Sequence, residues 1–87
     1  MSATNTDAVS PIRAVLEVVV RALVDRPESV RVTETERRGI SVLELRTSPE
    51  DMGKIIGRQG RTAAALRTLV AVTAEKHGRR AQLDIKD

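Results

Sequence analysis

Two glycines separated by two residues, Gly57 and Gly60, lie between two stretches of helix-favouring sequence. Glycine has no Cβ atom and tolerates positive φ, so this spacing predicts a tight four-residue turn that another backbone can approach closely. The second glycine would open a helix, whose first N–H groups lack intrahelical acceptors and favour an anionic oxygen nearby. Arg58 lies inside the turn and Arg61 directly follows it. The segment therefore indicates a loop that contacts a phosphate backbone.

The sequence before this turn predicts a helix followed by a β-hairpin. Ser10 and Pro11 provide a capping hydroxyl and a proline for the first helical position. Apolar residues then recur at helical spacing, and the helix is expected to end near residues 25–27. Residues 30–33 and 40–46 alternate between apolar and polar side chains, which predicts two strands joined by a turn at 37–39.

The remainder predicts two more helices and a third strand. Ser48 and Pro49 start a short helix, with acids in its first turn, that Gly57 ends. A longer helix follows the glycine turn and ends at Gly78, a typical C-terminal cap. Residues 81–85 alternate as a last strand.

These elements predict an α+β fold of order α-β-β-α-α-β, with a three-stranded mixed sheet covered on one face by three helices. A helical crossover joins the second and third strands, so these two are expected to run parallel. We predict one domain over residues 10–87 and a disordered tail over 1–9. The tail lacks the basic start and apolar core of a signal peptide. The sequence has no cysteine, which is consistent with the cytoplasm, and no apolar run long enough to span a membrane.

The composition restricts the type of nucleic-acid binding. The chain has no Phe, Tyr or Trp, so it cannot stack bases on aromatic rings as RRM and OB-fold proteins do. The charge is concentrated around the glycine turn: residues 53–80 contain seven Lys and Arg residues and one acidic residue. Such a local basic region indicates a phosphate contact site.

The sequence contains little that indicates an enzyme. It has one His and no Cys. The acidic residues mostly alternate with apolar residues in strands or occur at helix starts, where we expect them to face solvent. No metal-ligand spacing and no nucleophile-base grouping is present, so we predict neither catalysis nor a cofactor.

Three segments make the chain similar to small bacterial proteins of the KhpA family, which have one type II KH domain. They are residues 22–25 (ALVD), 49–62 (PEDMGKIIGRQGRT) and 65–69 (ALRTL). Two glycines three apart are weak evidence by themselves, whereas the full string between two helices and flanked by strands is specific. The resemblance covers nearly the whole chain, from about residue 11 to residue 85.

The resemblance implies a cytoplasmic binder of single-stranded RNA that acts as a chaperone or a post-transcriptional regulator. It further implies pairing with a larger KhpB-like protein and self-association. Residues 57–60 would contact phosphates, an apolar pair would help line the groove floor with at least one of them in the core, and two arginines near the C-terminus would form an opposite wall. The residues so assigned are Lys54, Ile55, Ile56, Gly57, Arg58, Gln59, Gly60, Arg61, Thr62, Arg79 and Arg80.

Two other functions remain compatible with the pattern. Helix, glycine turn and helix also describe a helix-turn-helix DNA binder, although the flanking strands argue against it. A protein-interaction or dimerisation adaptor with secondary RNA binding fits every feature of the sequence.

Overall fold

The computed structural model describes residues 10–86, so the predicted disordered tail at 1–9 lies outside the described residues. The predicted order of elements and the α+β class are confirmed. Short 3-10 turns precede β1, α2 and α3. The helices and strands are α1 (Pro11–Leu23), β1 (Arg31–Arg37), β2 (Ile40–Arg46), α2 (Met52–Ile56), α3 (Arg61–Lys76) and β3 (Arg80–Lys86).

The three strands form one mixed sheet in the order β1-β2-β3. Strands β1 and β2 pair antiparallel through the predicted hairpin, and β3 pairs parallel with β2. The crossover through α2 and α3 produces this parallel pair, as predicted. Strand β3 runs in the same direction as β2, and its first residue pairs with the first residue of β2. The end of α3 and the start of β3 therefore lie at the hairpin end of the sheet.

One face of the sheet carries the core. Alternate residues of the strands are buried on this face, and helices α1 and α3 pack against it and against each other. The buried hydrophobic side chains are those of Val, Leu, Ile and Ala, so burial of aliphatic surface stabilises the core. The central members are Ile12, Leu16, Val20, Leu43, Leu45, Ile55, Leu66, Val70 and Leu83.

The predicted start signal of α1 and the predicted stop signal of α3 are both present. The Ser10 hydroxyl accepts a hydrogen bond from the Arg13 N–H at 3.1 Å and caps α1. At the end of α3, Gly78 has φ +68°. Its N–H donates to the Glu75 carbonyl, and the Arg79 N–H donates to the Ala74 carbonyl. This is the Schellman arrangement, which confirms the glycine cap.

The acidic residue at the start of α2 is buried, and our expectation that the acids at helix starts face solvent is wrong for Asp51. Its side chain is 1% exposed. Its carboxylate accepts hydrogen bonds from the N–H groups of Asp25 at 3.1 Å and Arg26 at 3.0 Å, and from the Ser48 hydroxyl at 3.1 Å. The connection after α1 turns against the start of α2, where its amides need acceptors. Asp51 supplies them and fixes α2, and with it the glycine turn, to α1.

This carboxylate should make stability depend on pH. The hydrogen bond from the Asp25 N–H is the main cause that lowers the pKa of Asp51 below its ordinary 3.8, and burial opposes it. The carboxylate therefore stabilises the fold above the ordinary pKa, and this contribution is lost as pH falls through the lower folded value. We expect Asp51→Asn to be less stable than the parent at neutral pH, and the difference in melting temperature to shrink in strong acid.

Melting followed by circular dichroism from about pH 7 to about pH 2 measures this difference. Glu50→Gln is the matched control, because the neighbouring Glu50 side chain is 66% exposed and makes only a 3.5 Å ion pair with Arg26. An Asp51→Asn variant as stable as the parent at neutral pH would contradict the assigned role.

No helix within residues 10–86 combines the length and the apolarity that crossing a membrane requires.

Candidate nucleic-acid interface

Gly57 ends α2 in a conformation that only glycine adopts readily. Its φ is +76° and its ψ is 172°, and its N–H donates to the Gly53 carbonyl at 2.8 Å. A Cβ atom on Gly57 would lie 2.2 Å from Thr62 Oγ1 and 2.8 Å from the Thr62 backbone N. Both backbone conformation and space therefore require glycine, and the close approach brings the start of α3 directly against the end of α2.

The other half of the turn is left-handed. Gln59 has φ +57° and Gly60 has φ +74°, and the Gly60 N–H donates to the Gly57 carbonyl at 3.1 Å. A Cβ atom on Gly60 would meet nothing within 4 Å. The absent side chain therefore leaves this part of the loop surface open, so another backbone can approach it.

The loop leads into the N-terminus of a long helix. Gly60 is the N-cap of the 16-residue α3, and among the described residues no side chain caps it. The first amides of an uncapped helix lack intrahelical acceptors, and the helix dipole favours an anion there. This end of α3 is therefore suited to a phosphate oxygen.

Two arginines place positive charge at the loop. Arg58 and Arg61 are exposed, and neither forms an ion pair with the acids of residues 10–86. Arg61 donates a long hydrogen bond of 3.4 Å to Gln59 Oε1. The two guanidinium groups thus remain available to an external anion.

Lys54, predicted to flank the loop, is engaged elsewhere. Its ammonium lies 2.9 Å from Asp25 Oδ2 and 3.8 Å from Asp51 Oδ1. The hydrogen bond to Asp25 is the main cause that raises the pKa of Lys54, and the charge of Asp51 adds to it. Lys54 therefore connects α2 to the end of α1 in this structure.

The apolar pair before the loop is divided between the core and the surface. Ile55 is fully buried in the core, while Ile56 is 38% exposed beside Gly57. Of the two, only Ile56 presents a surface that a base can reach.

An apolar groove of about 440 Å³ lies between α1 and α3 and begins at the loop. Our prediction of the site did not include the residues that α1 contributes to this groove. Val19 and Leu23 are four residues apart and widen the apolar stripe of α1 beyond its buried residues, which was the signal available in the sequence. The lining residues are Val19, Leu23, Arg61, Thr62, Ala65, Leu66 and Leu69.

The structure does not bring Arg79 and Arg80 to the loop. They follow α3, whose 16 residues span about 24 Å from the loop to its other end. Arg79 Nη2 donates to Ser41 Oγ at 2.6 Å, and Ser41 is buried in β2. The structure thus brings together residues 57–62 of the predicted site, with Ile56 beside them.

The chain matches a family model described as "KhpA/KhpB, KH domain" over residues 13–85. A protein named RNA-binding protein KhpA from Leifsonia xyli subsp. xyli is 51% identical over 79% of this chain and 88% of its own length. A protein of the same name from Halalkalibacterium halodurans is 47% identical over 87% of this chain and 100% of its own length. Another, from Clostridium perfringens, is 43% identical over 85% of this chain and 99% of its own length.

A solved structure of Aquifex aeolicus Era is similar in fold. It superimposes with a TM-score of 0.56 at 20% identity, over 88% of this chain and 31% of the Era chain. The likeness to Era concerns the fold alone. The family match and the relatives together establish that the chain belongs to the KhpA/KhpB KH domain family.

Proposed function

We propose that the protein binds single-stranded RNA and that the glycine loop, residues 57–60, holds the sugar-phosphate backbone. One observation carries this proposal: an uncapped helix N-terminus and two arginines without ion-pair partners among the described residues meet at an open left-handed turn. The relatives in three bacteria are named RNA-binding proteins. This name describes a binding protein, which is consistent with our prediction that the chain is not an enzyme.

In this proposal the loop contacts few phosphates. A GxxG loop clamps roughly four backbone nucleotides. The donors are the backbone amides that the hydrogen bonds within the turn do not use and the guanidinium groups of Arg58 and Arg61. The bases lie against aliphatic surface, for which the exposed Ile56 is suited by position. Because the chain has no Phe, Tyr or Trp for stacking, we expect modest affinity.

A comparison of nucleic acids tests this proposal. We expect matched single-stranded RNA to bind more tightly than duplex DNA at one fixed salt concentration, because a four-residue loop contacts the backbone of one strand. The logarithm of the affinity should fall with the logarithm of salt concentration with a shallow slope, about −0.7 for each phosphate neutralised. Fluorescence anisotropy titrations measure both quantities. A preference for duplex DNA would contradict the proposal and favour a helix-turn-helix function.

We further propose a chaperone or regulatory role on RNA in the cytoplasm. An adaptor function, through a homodimer or a larger KhpB-like partner, is a second candidate. The apolar groove between α1 and α3 favours it, as do the exposed Val18 and Val72 at 69% and 57%. A variant altered only at Arg58 and Gln59 distinguishes RNA binding from the adaptor function. If this variant loses RNA binding and all biological activity, RNA binding is the primary function.

A further inference from the structure

A second group of arginines lies at the hairpin end of the sheet. The register pairs Arg37 with Ile40 and Ile40 with Arg80. Arg37 and Arg80 therefore lie in one row across the three strands, on the face away from the helices, with their Cα atoms about 10 Å apart. Arg38 occupies the tip of the turn between β1 and β2. We call Arg37, Arg38 and Arg80 the hairpin arginines.

The hairpin arginines keep their charge exposed. All three are exposed, and none forms an ion pair with an acid of the described chain. The nearby Arg79 differs from them, because it donates to buried Ser41 and lines a polar cavity together with Glu34. Arg79 is thus a structural contact, and the hairpin arginines form a separate basic surface.

The tip residue adopts a backbone conformation that arginine disfavours. Arg38 has φ +53° and Gly39 has φ +80°, the signs of a two-residue type I′ turn, whose first position favours Asn, Asp or Gly. A left-handed residue other than glycine costs free energy and often indicates a functional constraint. Besides Arg38, the only such residue within 10–86 is Gln59, in the glycine loop. Arg38 occupies the tip although arginine disfavours this backbone conformation, which indicates that its positive charge has a role.

We propose that the hairpin arginines bind phosphates of an RNA strand that extends beyond the glycine loop, so that a long RNA contacts the loop at the start of α3 and the hairpin near its end. This inference rests on the proposed function. The 24 Å or so between the two ends of α3 corresponds to roughly seven nucleotides at a stacked rise of about 3.4 Å. An RNA of about five nucleotides held at the loop is therefore too short to reach the hairpin, whereas one of about twelve can reach it.

The test compares two RNA lengths on the full chain. We expect Arg37→Gln/Arg38→Asn to bind a single-stranded RNA of about five nucleotides as the parent does, and one of about twelve several-fold more weakly. Its salt slope for the longer RNA should be shallower by about 1.4, for two lost phosphate contacts. Its melting temperature should be unchanged or higher, because Asn tolerates the left-handed turn.

Two further outcomes keep the inference separate from the proposed function. Parent-like affinity of this variant for the longer RNA would overturn the role of the hairpin arginines, while leaving loop binding of the shorter RNA intact. If the double variant melts at a lower temperature, Arg80→Gln, which does not alter the turn, gives the same comparison. Unchanged binding of the shorter RNA after substitution of Arg58 and Gln59 would overturn the proposed function itself.

Discussion

Arg58→Asp/Gln59→Asp is expected to bind a short single-stranded RNA at least about tenfold more weakly than the parent, a loss of about 1.4 kcal/mol. Both side chains are exposed, and Asp is among the residues that tolerate the left-handed conformation of residue 59. Folding should therefore survive. The two substitutions replace a cationic and a neutral side chain by carboxylates at the point where the phosphate would lie. The electrostatic attraction between the loop and the phosphate therefore becomes repulsion.

The control for this variant must change the net charge equally. Lys76→Asp/Gln82→Asp also lowers it by three units, at two exposed positions outside the loop. With an RNA of about five nucleotides, which the loop alone can hold, we expect the control to bind nearly as the parent does. Equal losses in the two variants, measured by fluorescence titration, would mean that total charge governs binding rather than the loop.

Gly57→Ala is expected to destabilise the fold by at least about 2 kcal/mol, which lowers the melting temperature of a domain of this size by roughly 10 °C. At φ +76° and ψ 172° the backbone lies in a region used almost only by glycine. The added methyl would also lie 2.2 Å from Thr62 Oγ1 and 2.8 Å from the Thr62 backbone N. A rotation of the Thr62 side chain can relieve the first contact, but the second requires α3 to move away from α2.

Gly60→Ala is the matched control for Gly57→Ala, because its methyl would meet nothing within 4 Å. Only the left-handed backbone disfavours it, so we expect a loss of about 1 kcal/mol. The exposed methyl should nevertheless weaken RNA binding, since it covers the surface that the strand approaches. Thermal melting of the two variants side by side checks the ranking, and equal destabilisation would contradict the steric role of Gly57.

The local signals in this sequence predicted the fold because each element has its own start and stop residues. Ser10 and Pro11 begin α1, and Gly78 ends α3, as the hydrogen bonds show. The antiparallel and parallel pairings follow from a short turn and a helical crossover respectively. The position of the glycine turn between two helices also required only local reasoning.

The features that the sequence did not reveal depend on contacts between distant segments. Asp51 accepts hydrogen bonds from amides about 25 residues away, and a helix-start acid looks the same in a sequence whether exposed or buried. Lys54 is likewise committed to Asp25, from the end of α1. The length and direction of α3 put Arg79 at the end of the helix opposite to the loop. Pattern alone supplies no distances between such elements.

The central claim is that main-chain amides of the glycine loop and the first turn of α3 hold the phosphates. A titration of the isotope-labelled protein with a single-stranded RNA of about five nucleotides, followed through backbone amide chemical shifts by NMR, tests it most directly. We predict that the largest and first shifts occur at residues 57–62. Shifts confined to the open face of the sheet or to the groove between α1 and α3, with residues 57–62 unchanged, would contradict it.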